Sequence, residues 1–502
     1  MTTAPSSTGA DDALRSGPAP GPAAGPAAGP DAGSGRFTPR ARLILLVLCA
    51  AQFFISLDFS ILNVALPVLG RDLGMGPADL QWAVTAFALP SGGFLLLFGR
   101  IADLYGRRRL FLTGVAVFTV ASVLAALAWS PGLFLGARAL QGLGAAAVVP
   151  TGMSLLTTIF PEGPRRNRAL GINGTLLSLG YTTGMLLGGG MTEALGWRST
   201  MALLALAGTA VLVGAGFLLP ESRTPERPRL DLPGALAVTG GLLSVIYALS
   251  TAAEQGFGRP DVVAAVTAGA ALLTAFVVIE SRAAQPLVSL GMLRRPTVAF
   301  GNLGGVITFS MMSSVIFLLT LYLQVVLGLS ALQTSLVFGA QGVVLALTGA
   351  VSSRVIGRIG ARATLTGGLA VQGACTTALV LVGAEQGAWL ALTALCLASA
   401  GHMSAVVSYG VNATSGLPDH EQGLATGLIT SSQQLGITIG IPVLGALSAS
   451  RVHALRETGT AADLALLSGV RLAFAVDAAV VLAASLLIGY GLFRRRRSAD
   501  RS

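Results

Sequence analysis

The chain has 502 residues, of which 53% are hydrophobic and only 11% charged, with a mean hydropathy of +0.75 and a formal net charge of +10. A soluble domain carries roughly 25% charged residues, and so few charges cannot cover the surface of a water-soluble protein of 50.7 kDa. The composition excludes a soluble enzyme and predicts a helical integral membrane protein, because long apolar runs are broken only by short Arg-bearing segments.

Residues 1–36 are rich in Pro, Gly, Ala and Ser and include the near-repeat GPAAGPAAGP, a composition with too little apolar surface to offset ordering entropy. This tail does not read as a signal peptide, since the first apolar run starts only at Leu43 and is too long for one. Fourteen runs follow, each near the ~20 residues that cross a bilayer: 43–67, 79–99, 110–129, 132–156, 168–190, 199–219, 233–253, 261–280, 300–325, 332–352, 363–383, 388–411, 423–446 and 471–493. All 32 basic residues are Arg, and placing both termini in the cytoplasm puts 25 of them inside, six outside and Arg138 within a span. That distribution makes membrane topology, not nucleic acid, the reason for the basic charge. Cys49, Cys375 and Cys396 all fall inside apolar spans without metal-ligand spacing, so no metal or cofactor is expected.

Span 1 ends in LDFSILNVALP (Leu57–Pro67), which puts Asp58 and Asn63 in an apolar run. The loop after span 2 reads GRIADLYGRRR, with Gly99, Asp103, Gly106, Arg107 and Arg108. Its positive charge alone would serve topology, but that needs neither Asp103 nor two spaced glycines. Span 4 contains LGARALQGLGAA (Leu135–Ala146), where Arg138 costs ~2.5–3.5 kcal/mol on insertion scales and must face protein or water, or else snorkel from the helix end. Gln141 lies one turn further on. Asp58 is about 13 Å and Arg138 roughly 9 Å from the outer ends of their spans at 1.5 Å per residue, so the two can share a layer. Span 5, GINGTLLSLGYTTGMLLGGG, carries Gly180, Gly184 and Gly188 as a small-xxx-small stripe suited to close helix packing. Gly99–Arg108 can be laid on Ser353–Arg362 at an offset of 254 residues, with Arg100, Gly106 and Arg108 recurring. The same offset places span 1 on span 9 and span 5 on span 13, the arrangement of a parallel repeat with spans 7 and 8 inserted. His402 falls mid-span 12 and reads equally as a ligand donor or a packing histidine; Asp477 lies near the outer end of span 14. Asn173, Asn302, Gln324 and Gln434 read as pocket donors or interhelical hydrogen bonds, while Trp82, Phe87, Tyr181, Met311 and Met312 suit an adaptable apolar pocket or plain core.

The loop Gly99–Arg109 resembles the major facilitator superfamily signature G-x-L-A-D-x-x-G-R-R, and the segment around Arg138 resembles that family's second motif. Leu57–Pro67 resembles the motif L-D-x-T-x-x-N-V-A-L-P of the fourteen-span drug:proton antiporters, with Ser60 for Thr. Gly171, Gly180, Gly184, Gly188 and Gly189 match the antiporter motif, but Met185 stands at its Pro position, which weakens the inference to antiport. The resemblance implies an all-α integral membrane fold of 14 transmembrane helices in two six-helix bundles plus a two-helix insertion. Along the chain this implies a disordered cytoplasmic tail (1–40), an N-terminal bundle (41–220), the insertion (221–295), a C-terminal bundle (296–493) and a basic cytoplasmic tail (494–502).

The implied function is not enzymatic: it is proton-coupled export of a hydrophobic or amphipathic drug or antibiotic across the plasma membrane by a monomer. Asp58 would exchange proton for substrate, Arg138 would tune it, the Gly99–Arg109 loop would stabilise one conformation and the span 5 glycines would form a gating contact. Asn63, Gln141 and His402 are the candidate substrate-pocket residues. A proton-coupled importer, or a non-transporting receptor or assembly protein, are the alternatives. No phosphate-binding loop is present, so energy comes from an ion gradient unless a partner supplies ATP.

Overall fold

A computed structural model of the chain describes residues 37–160, 164–220, 232–255, 258–282, 290–384, 387–415 and 419–494. Within it the chain forms helices α1 (Pro39–Leu73), α2 (Pro77–Gly93), α3 (Leu95–Tyr105), α4 (Arg107–Ala126), α5 (Pro131–Ile159), α6 (Pro164–Leu195), α7 (Arg198–Leu218), α8 (Leu232–Gln255) and α9 (Pro260–Arg282). The short α10 (Leu290–Leu293) leads into α11 (Pro296–Leu321), α12 (Ala331–Ile359), α13 (Ala361–Ala378), α14 (Ala388–Thr414), α15 (Asp419–Glu457) and α16 (Ala462–Arg494). No strand occurs among the described residues, and eleven helices are long and apolar enough to cross a membrane.

Local chemistry starts and stops these helices where a bilayer cannot. Proline occupies the first turn of α1, α2, α5 and α11, where its missing N–H costs nothing. The Thr38 and Ser130 hydroxyls accept from the N–H groups of Ala41 and Leu133, and Ser330 with Gln333 forms a capping box on α12. The predicted span over 79–99 is not one helix: it divides at Phe94, after Pro90, Gly92 and Gly93, into α2 and α3. A π-helical turn at Tyr322–Val326 ends α11.

Two helix groups pack chiefly among themselves, α1 to α7 and α11 to α16. The internal repeat has a structural counterpart in their glycines. Gly106 (φ 103°) and Gly360 (φ 85°), at the offset read from the sequence, turn α3 into α4 and α12 into α13 with a backbone that L side chains avoid. Gly180 and Gly184 of α6 lie against the backbone of Phe53 and Leu57 in α1, and Gly436 and Gly440 of α15 lie likewise on Val306 and Ser310 in α11. Gly114 meets Gly144 between α4 and α5, and Gly368 meets Gly401 between α13 and α14. Gly188 and Gly189 extend the α6 stripe onto Ile61 and onto Ala331 and Ser335 of α12, whereas Gly171 has no neighbour among the described residues that a Cβ would touch. Replacing Gly184 by Val should therefore force α1 and α6 apart at a cost of about 1–3 kcal/mol. Thermal unfolding in detergent should show a lower midpoint for Gly184→Val and no decrease for Gly171→Val.

Candidate functional site

Four helices enclose one charge pair. Asp58 on α1 and Arg138 on α5 are both buried, at 0% and 1% exposure. Arg138 Nη1 donates to Asp58 Oδ1 (2.7 Å) and Oδ2 (2.9 Å) and to Gln141 Oε1 (2.9 Å), one helical turn along α5. Arg138 Nε donates to the Ala83 carbonyl of α2 at 3.2 Å, and the guanidinium carbon lies 4.5 Å from the centroid of the Phe87 ring on the same helix. Gln141 Nε2 then donates to Ser122 Oγ of α4 (2.8 Å), which donates to the Phe118 carbonyl. The carboxylate is met by a single guanidinium nitrogen, not by the two-nitrogen fork of the strongest Arg–carboxylate pairs. The pair is thus desolvated, with both carboxylate oxygens hydrogen-bonded through that one nitrogen.

Polar residues in the second helix group form a second, uncharged cluster on the corresponding helices. Thr308 of α11, Gln372 of α13 and His402 of α14 are joined through Thr308 Oγ1, which lies 2.6 Å from Gln372 Oε1 and 2.8 Å from His402 Nδ1. Thr308 and Gln372 are fully buried, and Phe309 presents an aromatic edge contact to the His402 ring. Sequence reasoning singled out His402 but missed Thr308, Gln372 and Ser122, since Thr, Gln and Ser are common in apolar helices and their pairing is long-range. Asn63, a turn and a half beyond Asp58, donates to the Phe59 carbonyl, and its buried Oδ1 has no partner among the described residues.

The other predicted residues sit apart. Gly106 forms the α3–α4 turn, Arg107 donates to the Thr158 hydroxyl of α5, and Arg108 donates to the Gly216 carbonyl of α7 at 2.7 Å. Gly99 faces Pro150; the side chains of Arg100 and Asp103 lie outside the described residues. Met185 is buried in a continuous α6, which runs without a break through the position where the motif has Pro. Asp477 is enclosed on α16 with neither carboxyl oxygen hydrogen-bonded among the described residues, and α16 packs on α11, α13 and α15.

Contacts between the two helix groups run from mid-helix to the end at which α1 finishes. Thr182 and Leu186 of α6 meet Gly342 and Gly339 of α12, and Gln324 Nε2 donates to the Val64 carbonyl at 2.8 Å. At the rim, Glu193 Oε2 accepts from the Leu332 N–H (3.0 Å) at the start of α12. The Ser330 hydroxyl first, and that N–H second, hold the Glu193 carboxyl below its ordinary range.

This arrangement, two helix groups built on a repeated packing scheme with a buried ion pair in the first, agrees with known proteins. The Major Facilitator Superfamily profile matches residues 48–441. The chain belongs to the major facilitator superfamily. It is 38% identical over 436 residues to the cephamycin export protein CmcT of Amycolatopsis lactamdurans, covering 85% of this chain and 88% of that protein. It is 33% identical to the puromycin resistance protein of Streptomyces alboniger, over 91% of this chain and 92% of that one. Among solved structures, the POT family transporter PepTSo superposes with a TM-score of 0.69 at 14% identity, covering 92% of this chain and 99% of the other. An inward-facing bacterial homologue of the lysosomal transporter Spinster gives 0.65 at 15% identity, covering 91% of this chain and 97% of the other. These structural likenesses extend the superfamily assignment to the fold.

If the Asp58–Arg138 pair is the dominant interaction of this site, Arg138→Ala leaves Asp58 buried without its cation, forced to take up a proton, and should cost about 3–5 kcal/mol. In the Asp58→Asn background the same change should cost less, giving a coupling of about 1–3 kcal/mol in a double-mutant cycle of unfolding midpoints. Additive costs would separate the two residues.

Proposed function

We propose that the chain is a proton-coupled exporter of hydrophobic or amphipathic antibiotics, working by alternating access in the plasma membrane. The observation that carries this reading is the Asp58–Arg138 pair, sealed from solvent yet held through one guanidinium nitrogen. A carboxyl group in an apolar setting favours its neutral form, and an adjacent cation favours its charged form. Asp58 is charged while it rests on Arg138; when it takes a proton, Arg138 is released to Gln141 and the Ala83 carbonyl, and the change in charge shifts the balance between the two conformations. The names of the relatives support the direction: both of those described above are called export or resistance proteins for antibiotics.

In this reading fourteen helical crossings, with α2 and α3 forming one of them, comprise an N-terminal bundle (41–220), a two-helix insertion (221–295) and a C-terminal bundle (296–493). Both termini are cytoplasmic, following the Arg distribution. The seal at Gln324–Val64 and Glu193–Leu332 then closes the outer side, so the conformation faces inward. The protein acts as a monomer in the bilayer. The loop with Gly99, Asp103, Gly106, Arg107 and Arg108 stabilises one conformation through its contacts to α5 and α7. Gly180, Gly184, Gly188 and Gly189 let α6 slide against α1 and α12 during the change, while Gly171 serves the stripe only as spacing. Asn63 and His402 face the substrate path, while Gln141, engaged by Arg138 and Ser122, acts by holding Arg138. Glu193 is a carboxylate brace across the outer rim.

Inside-out vesicles test the reading. With puromycin and a cephamycin as probes, an imposed pH gradient, acid inside, should drive drug accumulation in wild-type vesicles. Asp58→Asn, which removes the charge and keeps the shape, should abolish gradient-driven uptake while leaving membrane insertion intact. Equal uptake by the Asn variant, or flow out of inside-out vesicles, contradicts it.

A further inference from the structure

Hydrogen inventory at the second polar cluster decides the form of its histidine. Gln372 approaches Thr308 twice: Nε2 lies 3.3 Å from the Thr308 carbonyl oxygen and Oε1 lies 2.6 Å from Thr308 Oγ1. A carbonyl oxygen only accepts, so the amide nitrogen of Gln372 must face it and the amide oxygen must face the hydroxyl. That oxygen cannot donate; the single Thr308 hydroxyl proton therefore points at Gln372. The remaining lone pairs of Thr308 Oγ1 meet His402 Nδ1 at 2.8 Å, and only an N–H can make that contact. His402 thus carries its proton on Nδ1.

The other ring nitrogen follows from this. Nε2 of His402 is left as an acceptor, has no hydrogen-bond partner among the described residues, and belongs to a side chain that keeps 8% exposure. No acid among the described residues pairs with the ring, and Phe309 packs edge-on against it with centroids 5.2 Å apart. The exposure that the side chain keeps leaves this acceptor open to a donor from outside the protein. We propose that His402 Nε2 is a hydrogen-bond acceptor subsite for an uncharged donor, a phenolic or alcoholic hydroxyl or an N–H, carried on an apolar scaffold, with Thr308 and Gln372 as the positioning residues that lock its tautomer. The proposal rests on the export reading for its substrate, but not for its geometry. The two networks divide the labour: the first helix group holds a charged pair for the proton, and the second holds a neutral acceptor for the cargo.

The test uses the full-length protein in lipid nanodiscs with nitrogen-15 histidine. The chain has three histidines, and the His402 signals are assigned by their loss in His402→Gln. The expected spectrum at neutral pH shows His402 protonated on Nδ1 and bare on Nε2. Millimolar phenol should shift the Nε2 resonance, whereas anisole, its methyl ether without a donor, should not. Thr308→Val should turn the single tautomer into a mixture and reduce the phenol shift. A ring protonated on Nε2, a doubly protonated ring, or equal responses to phenol and anisole overturns the proposal. No flux enters this measurement, so its failure leaves proton-coupled export standing, and failure of export leaves it interpretable.

Discussion

A carboxylate and a guanidinium taken out of water must find each other, and in this protein that necessity organises the first helix group. Asp58 on α1 and Arg138 on α5 bring together helices far apart in sequence, with α2 supplying a carbonyl and an aromatic face and α4 a hydroxyl through Gln141. Desolvation of such a pair costs several kcal/mol per ion, which Coulomb attraction and added hydrogen bonds must offset. The result adds little net stability but penalises every state in which only one partner keeps its charge. In the proposed reading, that penalty is what gives proton movement leverage over conformation.

Around the charge pair the helices approach one another closely. Glycines at the α1–α6 and α4–α5 contacts, repeated at α11–α15 and α13–α14, let backbones touch where lipid offers no hydrophobic drive for association. One packing scheme thus serves both halves, while their polar interiors diverged: a charged pair in one, and the neutral cluster of Thr308, Gln372 and His402 in the other. Helix α8 is tied to the first helix group at a defect, where Thr239 donates to the Gly93 carbonyl beside the break between α2 and α3.

Much of this was legible in the sequence because charge is so scarce in apolar runs. Asp58 and Arg138 stood out for that reason, and their depths along the spans placed them in one layer. Gly106 and Gly360 were legible as a repeat, and their positive φ explains why both positions are glycine. Less visible was the break at Phe94, since Pro90 alone does not say where a helix will divide. The Thr308–Gln372–His402 cluster was invisible for a different reason: each residue type is ordinary, and only tertiary contact makes the set. Gly171 matched a motif, yet spacing alone cannot tell a glycine that meets a neighbour from one that meets none.

Carbon-13 aspartate labelling with infrared difference spectroscopy reads the charge of Asp58 directly, using Asp58→Asn to assign its band. In the wild type at neutral pH, Asp58 should give a carboxylate band; in Arg138→Ala, where its cation is gone, the band should move to that of a protonated acid. A carboxylate band in both proteins would mean that Asp58 keeps its charge without its partner, and the coupling of proton to conformation through this pair would be wrong.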